Sequence, residues 1–237
     1  MRVLCFKLKG DLGHFKPYYT TSSPTTYSLI PPMAIFGVIG AILGFERKND
    51  EYYFKLVKAG TRVGAGIINP VKKRVFGINL INTKDNYWVP TKKNPTGVRT
   101  PIRYEYVVKP EYLVFVTMSE LSLLDSLAEM VKKHLSCYSV CLGLSELLAD
   151  FEYVFYSDVE TIVDSKSYLP ICSAVPMALL KEKDAIALEP GVFYNKERYV
   201  KVFDNMRIPA DYVDVVFPAN GKKAKLKCSS VYKYCDY

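Results

Sequence analysis

Apolar and polar positions alternate from the start of the chain. Val3, Cys5 and Lys7 fall on one side of an extended segment, and Leu4, Phe6 and Leu8 fall on the other, predicting a first strand over Arg2 to Lys9. Gly10 to Pro24 is polar and turn-rich and reads as a loop. Pro31-Pro32 then opens a helix, since proline suits the first helical turn, and Gly44 is a natural stop. Its glycines suggest close packing on a sheet. Tyr52 to Val63 alternates as a second strand, with Tyr53, Lys55, Val57 and Ala59 opposite Phe54, Leu56 and Lys58. Between Ile67 and Lys109, four prolines punctuate short strand-like pieces, which is too long for an ordinary connection and reads as an inserted hairpin. With few contiguous apolar runs, residues 67–109 are expected to be dispensable for folding. Tyr112 to Met118 is a buried strand. Glu120 to Leu135 is an amphipathic helix with Leu121, Leu124, Ala128, Val131 and Leu135 on one stripe, and Phe151 to Tyr156 is a further strand. The order predicts an α+β fold, a ferredoxin-like βαββαβ domain over 1–156 with the insertion at about 67–109. Residues 157–237, rich in Val, Tyr, Phe and Pro, predict a β-rich C-terminal region packed on it.

Composition narrows the class. The 237 residues are 49% hydrophobic and 24% charged, which suits a folded globular chain rather than a disordered one. The longest uncharged apolar run, Leu29 to Phe45, is broken by the double proline, and the 13 residues beyond it fall short of the roughly 20 that a membrane span needs. No targeting segment precedes the first strand, so the expectation is a cytoplasmic protein without a membrane partner. Six cysteines contain no C-x-x-C, and only His14 and His134 are available to complete a zinc site. Reduced thiols, no metal and no cofactor are therefore expected.

Charge is segregated. Residues 55–110 carry 12 basic and 2 acidic side chains, net +10, which exceeds the +8 of the whole chain; residues 111–200 carry 7 and 14, net −7. Clustered cations attract a polyanion because each neutralised phosphate releases counterions. The basic segment also holds Tyr87, Trp88, Tyr104 and Tyr106, whose rings suit unpaired bases.

Catalytic motifs are scarce. No Walker A, G-x-G-x-x-G, H-E-x-x-H or G-x-S-x-G sequence occurs. Asp158, Glu160 and Asp164 read as solvated charge rather than a two-metal site. His14, near Lys16, Tyr18 and Tyr19, offers a base for a 2′-hydroxyl and cations for a phosphorane, as a metal-independent ribonuclease requires; the plainer reading is a structural loop histidine. His134 suits a helix C-terminus.

Three blocks carry a resemblance. FKLKGDLGHFKPYYTTSSPTTYSLIPPMAIFGVIGAILG (6–44), TPIRYEYVVKPEYLVFV (100–116) and YSVCLGLSELLA (138–149) follow one another as in the Cas five family, the RAMP-type CRISPR-associated subunits of type I Cascade, here of I-B/I-A-like pattern. The resemblance implies a RAMP/RRM-like core with a β-hairpin thumb before the third core strand. It also implies a non-catalytic, crRNA-binding role in antiviral defence, in which the subunit caps the 5′ handle. The implied partners are the handle, the Cas seven backbone subunits, the large subunit and, through the complex, target DNA. On this reading Lys16, Tyr18 and Tyr19 lie near the RNA, and Arg62, Lys72, Lys73, Arg74, Arg99 and Arg103 meet phosphates. Tyr87 or Trp88 stacks on a base. The alternative is a metal-independent endoribonuclease processing precursor crRNA, with His14, Lys16 and Tyr18 as its chemical groups.

Overall fold

The computed structural model describes residues 1–21, 23–81, 91–92, 99–163, 167–180, 185–204, 208–228 and 230–233. Its elements in chain order are β1 (Arg2–Gly10), β2 (Leu12–Gly13), α1 (Pro32–Leu43), α2 (Glu51–Lys58), β3 (Arg62–Ile67), β4 (Lys73–Ile81), β5 (Arg99–Val108), β6 (Glu111–Thr117), α3 (Leu121–Lys132), β7 (Ala149–Asp158), β8 (Glu160–Val163), β9 (Leu169–Ile171), β10 (Val175–Pro176), β11 (Ile186–Ala187), β12 (Tyr194–Phe203), β13 (Pro209–Pro218), β14 (Ala224–Leu226) and β15 (Ser230–Lys233). The fold is α+β with antiparallel sheets and few helices.

The central sheet has the order β3-β6-β1-β7, every pair antiparallel. β1 lies between two neighbours, so both of its edges are hydrogen-bonded, and apolar side chains pack on both of its faces. Leu4, Phe6 and Leu8 enter the main core with Ile35, Ile39 and Ile42 of α1 and Leu124, Leu127 and Val131 of α3, whereas Val3 and Cys5 join a smaller cluster with Phe155 and Val159. The period-2 pattern of the first strand is thus realised on two cores. The main core also takes Tyr199 of β12 and Val215 and Phe217 of β13, so the C-terminal strands share it.

Helix α1 starts on Pro32 and stops at Gly44, whose φ of 77° lies in the left-handed region that favours glycine. Its glycines do not pack on the sheet as expected: a Cβ at Gly40 would lie 2.9 Å from Tyr52 Cβ on α2, and Gly37 faces open space. The expected strand over Tyr52–Val63 is corrected, because residues 51–58 form α2 and the strand begins only at Arg62. Five apolar residues in six positions satisfy either period. Helix wins because Leu56 alone then needs full burial, Glu51 pairs with Lys55 one turn on, and Lys55 and Lys58 sit at the negative end of the helix dipole. In α3 the buried stripe is Leu124, Leu127, Ala128 and Val131, while Leu121 and Leu135 are exposed, the latter lying beyond the helix end.

β4 and β5 form the inserted hairpin, and β2 pairs with the foot of β5. β4 is exposed almost throughout. The expectation that all of 67–109 is dispensable is corrected: Ile67, Tyr106 and Val107 are buried, so only the part beyond the root projects. Among the described residues, no helix is long and apolar enough to cross a membrane.

Candidate nucleic-acid interface

Residues opposite one another in an antiparallel pair point to the same face, and the face changes at every step. The register Arg74↔Tyr106, Phe76↔Tyr104, Ile78↔Ile102 and Leu80↔Thr100 therefore makes one face of the hairpin aromatic and aliphatic. The opposite face carries Arg103 opposite Gly77 and Arg99 opposite Ile81, with Lys73, Val75 and Glu105 nearer the root. On the first face Phe76 meets Tyr106 at 5.6 Å between centroids, and Tyr104 stacks beside Tyr106 at 6.2 Å. Arg74, Arg99, Arg103 and Lys72 are exposed, so the hairpin presents cations to solvent on both faces and its rings on one.

The root is held by one knot. Glu105 Oε2 accepts a hydrogen bond from Thr26 N at 2.9 Å and lies 3.6 Å from Lys73 Nζ, which itself donates to the Thr26 carbonyl at 2.5 Å. Glu105 N donates to Pro24 O, and the Glu105 carbonyl accepts from His14 Nδ1 at 2.7 Å. Thr26 Oγ1 in turn accepts from Phe15 N at 2.8 Å. Lys73, expected to meet phosphate, is thus already engaged in fixing hairpin to loop.

His14 is only 2% exposed. Its ring lies 5.1 Å from Tyr104 and 5.6 Å from Tyr106, and its backbone is pinned by the turn after α3. His14 N donates to Leu142 O, and a Cβ at Gly143 would fall 1.8 Å from His14 O, so only glycine, here at φ 97°, allows the approach. The first, second and third sequence blocks meet at this histidine. Because Nδ1 donates to a carbonyl, the neutral ring has its lone pair on Nε2, which is buried without a partner among the described residues.

Lys16, Tyr18 and Tyr19 project from the same loop, the tyrosines 48% and 64% exposed. Tyr18 meets Tyr19 edge-on at 5.1 Å and Tyr212 of β13 at 5.1 Å, and Arg198 of β12 lies 5.3 Å over the Tyr212 ring. This ladder borders a cleft of about 560 Å³ lined by Tyr19, Thr25, Lys73, Lys196, Arg198 and Asp214, among others. Asp214 pairs with Lys196 at 3.2 Å and Arg198 at 3.5 Å, so charge within the cleft is largely matched. Glu197 turns inward and accepts from Ser28 N at 2.8 Å and from the Tyr199 hydroxyl. Burial pushes the Tyr27 phenol above its ordinary range, and Tyr18, Tyr19 and Glu197 add to the shift, so Tyr27 stays protonated as it donates to Arg198 O.

The remaining expected residues fall elsewhere. Arg62 lies at the far end of β3 from the hairpin, about 16 Å along the strand at 3.3 Å per residue. There it borders an apolar recess with Val3, Phe115, Phe155 and Val175. Tyr87 and Trp88 lie outside the described residues. Sequence reasoning missed Tyr212, Lys196 and Arg198. For Lys196 and Arg198 the signal was the mixing of cations and tyrosines in β12, but much of β12 falls in a segment of net negative charge, and β13 around Tyr212 carries no cation. Among the described residues, no group of three His, Cys, Asp or Glu side chains is placed to hold a metal ion.

Known proteins extend this picture. The solved "Crystal structure of a CRISPR protein from Archaeoglobus fulgidus" is similar with a TM-score of 0.54 at 12% identity, covering 99% of this chain and 96% of that one. A chain of a "CRISPR RNA-guided surveillance complex" is similar with a TM-score of 0.51 at 14% identity, covering 94% and 91%. A chain of "the Type III-B Cmr-beta bound to cognate target RNA and AMPPnP" gives 0.52 at 12% identity, covering 95% and 86%. At such identities these likenesses concern the fold. No curated protein matches in sequence. The profile of the family described as CRISPR-associated protein (Cas_Cas5) matches residues 3–208, and with most of its length matched the chain belongs to that Cas5 family.

Proposed function

We propose that this Cas5-family protein is a non-catalytic RNA-binding subunit of a type I CRISPR Cascade complex, capping the 5′ handle of the crRNA and contacting the backbone and large subunits. The observation that carries the reading is the rooted hairpin, with cations on both faces and rings on one, beside the exposed Tyr18 and Tyr19 and the half-buried Tyr212. Single-stranded RNA needs both, since cations track its backbone and rings stack its unpaired bases. The order β3-β6-β1-β7, with α1 and α3 on one face, is read as the ferredoxin-like βαββαβ unit and β4–β5 as its thumb. A crRNA-bound subunit would work in the cytoplasm.

The nuclease alternative asks more of His14 than its setting offers. A general base must reach the proton it removes to within hydrogen-bond distance. His14 commits Nδ1 to the Glu105 carbonyl and seals Nε2 under the hairpin root, while Lys16 and Tyr18 face solvent. Incubating the protein with end-labelled repeat RNA in EDTA tests both readings. Bound and intact RNA is expected; bound and cut RNA establishes the alternative, and unbound RNA removes both.

A further inference from the structure

We infer that the root of the hairpin carries a second single-stranded RNA subsite, on the far side of Lys73, where Phe193 stacks one base and Lys222 meets an adjoining phosphate. The inference rests on the RNA-binding reading above and extends it to residues outside the hairpin and its loop.

A second cleft, of about 920 Å³, opens there. Phe193, Asn195, Asn220 and Lys222 line it with Ser28 and Lys73, and Lys73 also lines the first cleft, so the two adjoin across one side chain. Their charges differ. The first cleft matches its cations with Glu105, Glu197 and Asp214, whereas no carboxylate is among the described residues lining the second. Phe193 is 68% exposed, so its ring is open to a stacking partner. An aromatic face beside the Lys222 ammonium, which no carboxylate in the cleft matches, suits a nucleotide, whose base stacks and whose phosphate neutralises.

The cleft is built on a fixed frame. Val71 N donates to Ala219 O at 2.9 Å, and Ala219 N donates to Phe193 O at 2.7 Å, tying the β3–β4 connection, the turn after β13 and the residue before β12 into one row. Gly221, at φ 74°, sits so close to the Ile68 carbonyl that a Cβ would lie 1.9 Å from its oxygen. Lys222 Nζ stands over Gly191, 2.9 Å from where a Cβ would be. Asn220 Nδ2 donates to the Gly191 carbonyl at 2.6 Å, which fixes the Asn220 side chain in the wall of the cleft.

The test is fluorescence anisotropy with a labelled 20-nucleotide single-stranded repeat RNA, over a salt series. The variants are Phe193→Ala, Phe193→Tyr and Lys222→Met, beside the hairpin double variant R99E/R103E. Phe193→Ala is expected to weaken binding roughly 5- to 100-fold, the cost of one lost stacked base, and Phe193→Tyr to restore it. Lys222→Met is expected to flatten the log affinity–log salt slope by about 0.7, one phosphate contact fewer. If both Phe193→Ala and Lys222→Met bind as wild type while R99E/R103E loses binding, the subsite is wrong and the hairpin reading stands. If the wild type does not bind, both fall. If Phe193→Ala binds RNA normally but loses co-purification with a neighbouring CRISPR-associated subunit, the cleft is a protein surface and the inference is overturned.

Discussion

Replacing Glu105 tests how the hairpin is rooted. Its carboxylate accepts from Thr26 N and pairs with Lys73, and the two side chains are only 24% and 29% exposed. Glu105→Ala removes a charge-assisted hydrogen bond and strands a backbone N–H, about 1.5–3 kcal/mol. Loss of the partly screened ion pair adds about 1 kcal/mol at most. A total of roughly 2–4 kcal/mol corresponds to a fall in Tm of about 5–12 °C for a chain of this size. Glu105→Gln keeps an acceptor for Thr26 and loses only the charge, so about 1 kcal/mol is expected. Lys73→Met should not add to Glu105→Ala: residues sharing one network couple by about 0.5–3 kcal/mol in a double-mutant cycle. Thermal melts of the three variants and the double variant provide the cycle, and hydrogen exchange at the Thr26 amide reports the bond itself. A Glu105→Ala protein melting within about 2 °C of wild type, with Thr26 still protected, refutes the knot.

Four further outcomes are expected. Charge reversal of Arg99 and Arg103 should flatten the salt dependence of RNA binding by about 0.7 per lost phosphate contact while leaving Tm nearly unchanged, and an unaltered slope in a filter-binding titration counts against the hairpin cations. His14→Ala should lower Tm, since it empties a buried site and leaves the Glu105 carbonyl without its donor, about 1–3 kcal/mol, yet leave any trace of RNA cleavage unchanged; robust cutting in EDTA that this variant abolishes reverses the assignment. Replacing residues 75–103 with a short Gly/Ser linker should give a cooperatively melting protein that no longer binds handle RNA, whereas removing 67–109 should unfold it by taking Ile67, Tyr106 and Val107 from the core. Burial pushes the Cys5 thiol up to about 12, so the native state keeps a proton that the unfolded chain loses above about pH 8.5. Stability should therefore fall with rising pH across that window by up to about 1.4 kcal/mol per unit, and Cys5→Ala should reduce the slope in pH-dependent denaturant melts.

Where the sequence was legible, the signal was local. β1 and α3 each present one clear period, β6 is a short unbroken apolar run, and Pro31-Pro32 and Gly44 bracket α1 in a few residues. α2 was not legible because Tyr52, Tyr53, Phe54, Leu56 and Val57 fill both faces of either element, leaving only the Glu51–Lys55 spacing to decide. The hairpin cations and loop tyrosines stand out in the sequence for the same local reason, as runs within a few residues of one another. Tyr212, Arg198 and Phe193 do not, because they reach the hairpin root through strands paired far along the chain and anchored by Tyr199 and Phe217 in the core. Arg62 shows the opposite error. Charge counted along the chain groups it with the hairpin, but β3 carries it to the other end of the sheet.

Photo-cross-linking tests the central claim most directly: that single-stranded RNA lies along the hairpin and across its root. A 4-thiouridine-substituted repeat RNA, bound at low salt and irradiated, leaves its mark on identifiable peptides. Cross-links are expected in 16–19, on the described hairpin strands 74–81 and 99–106, and at Arg198 and Tyr212. Cross-links confined to the apolar recess beside Arg62, or to the exposed face of α2, would contradict the account.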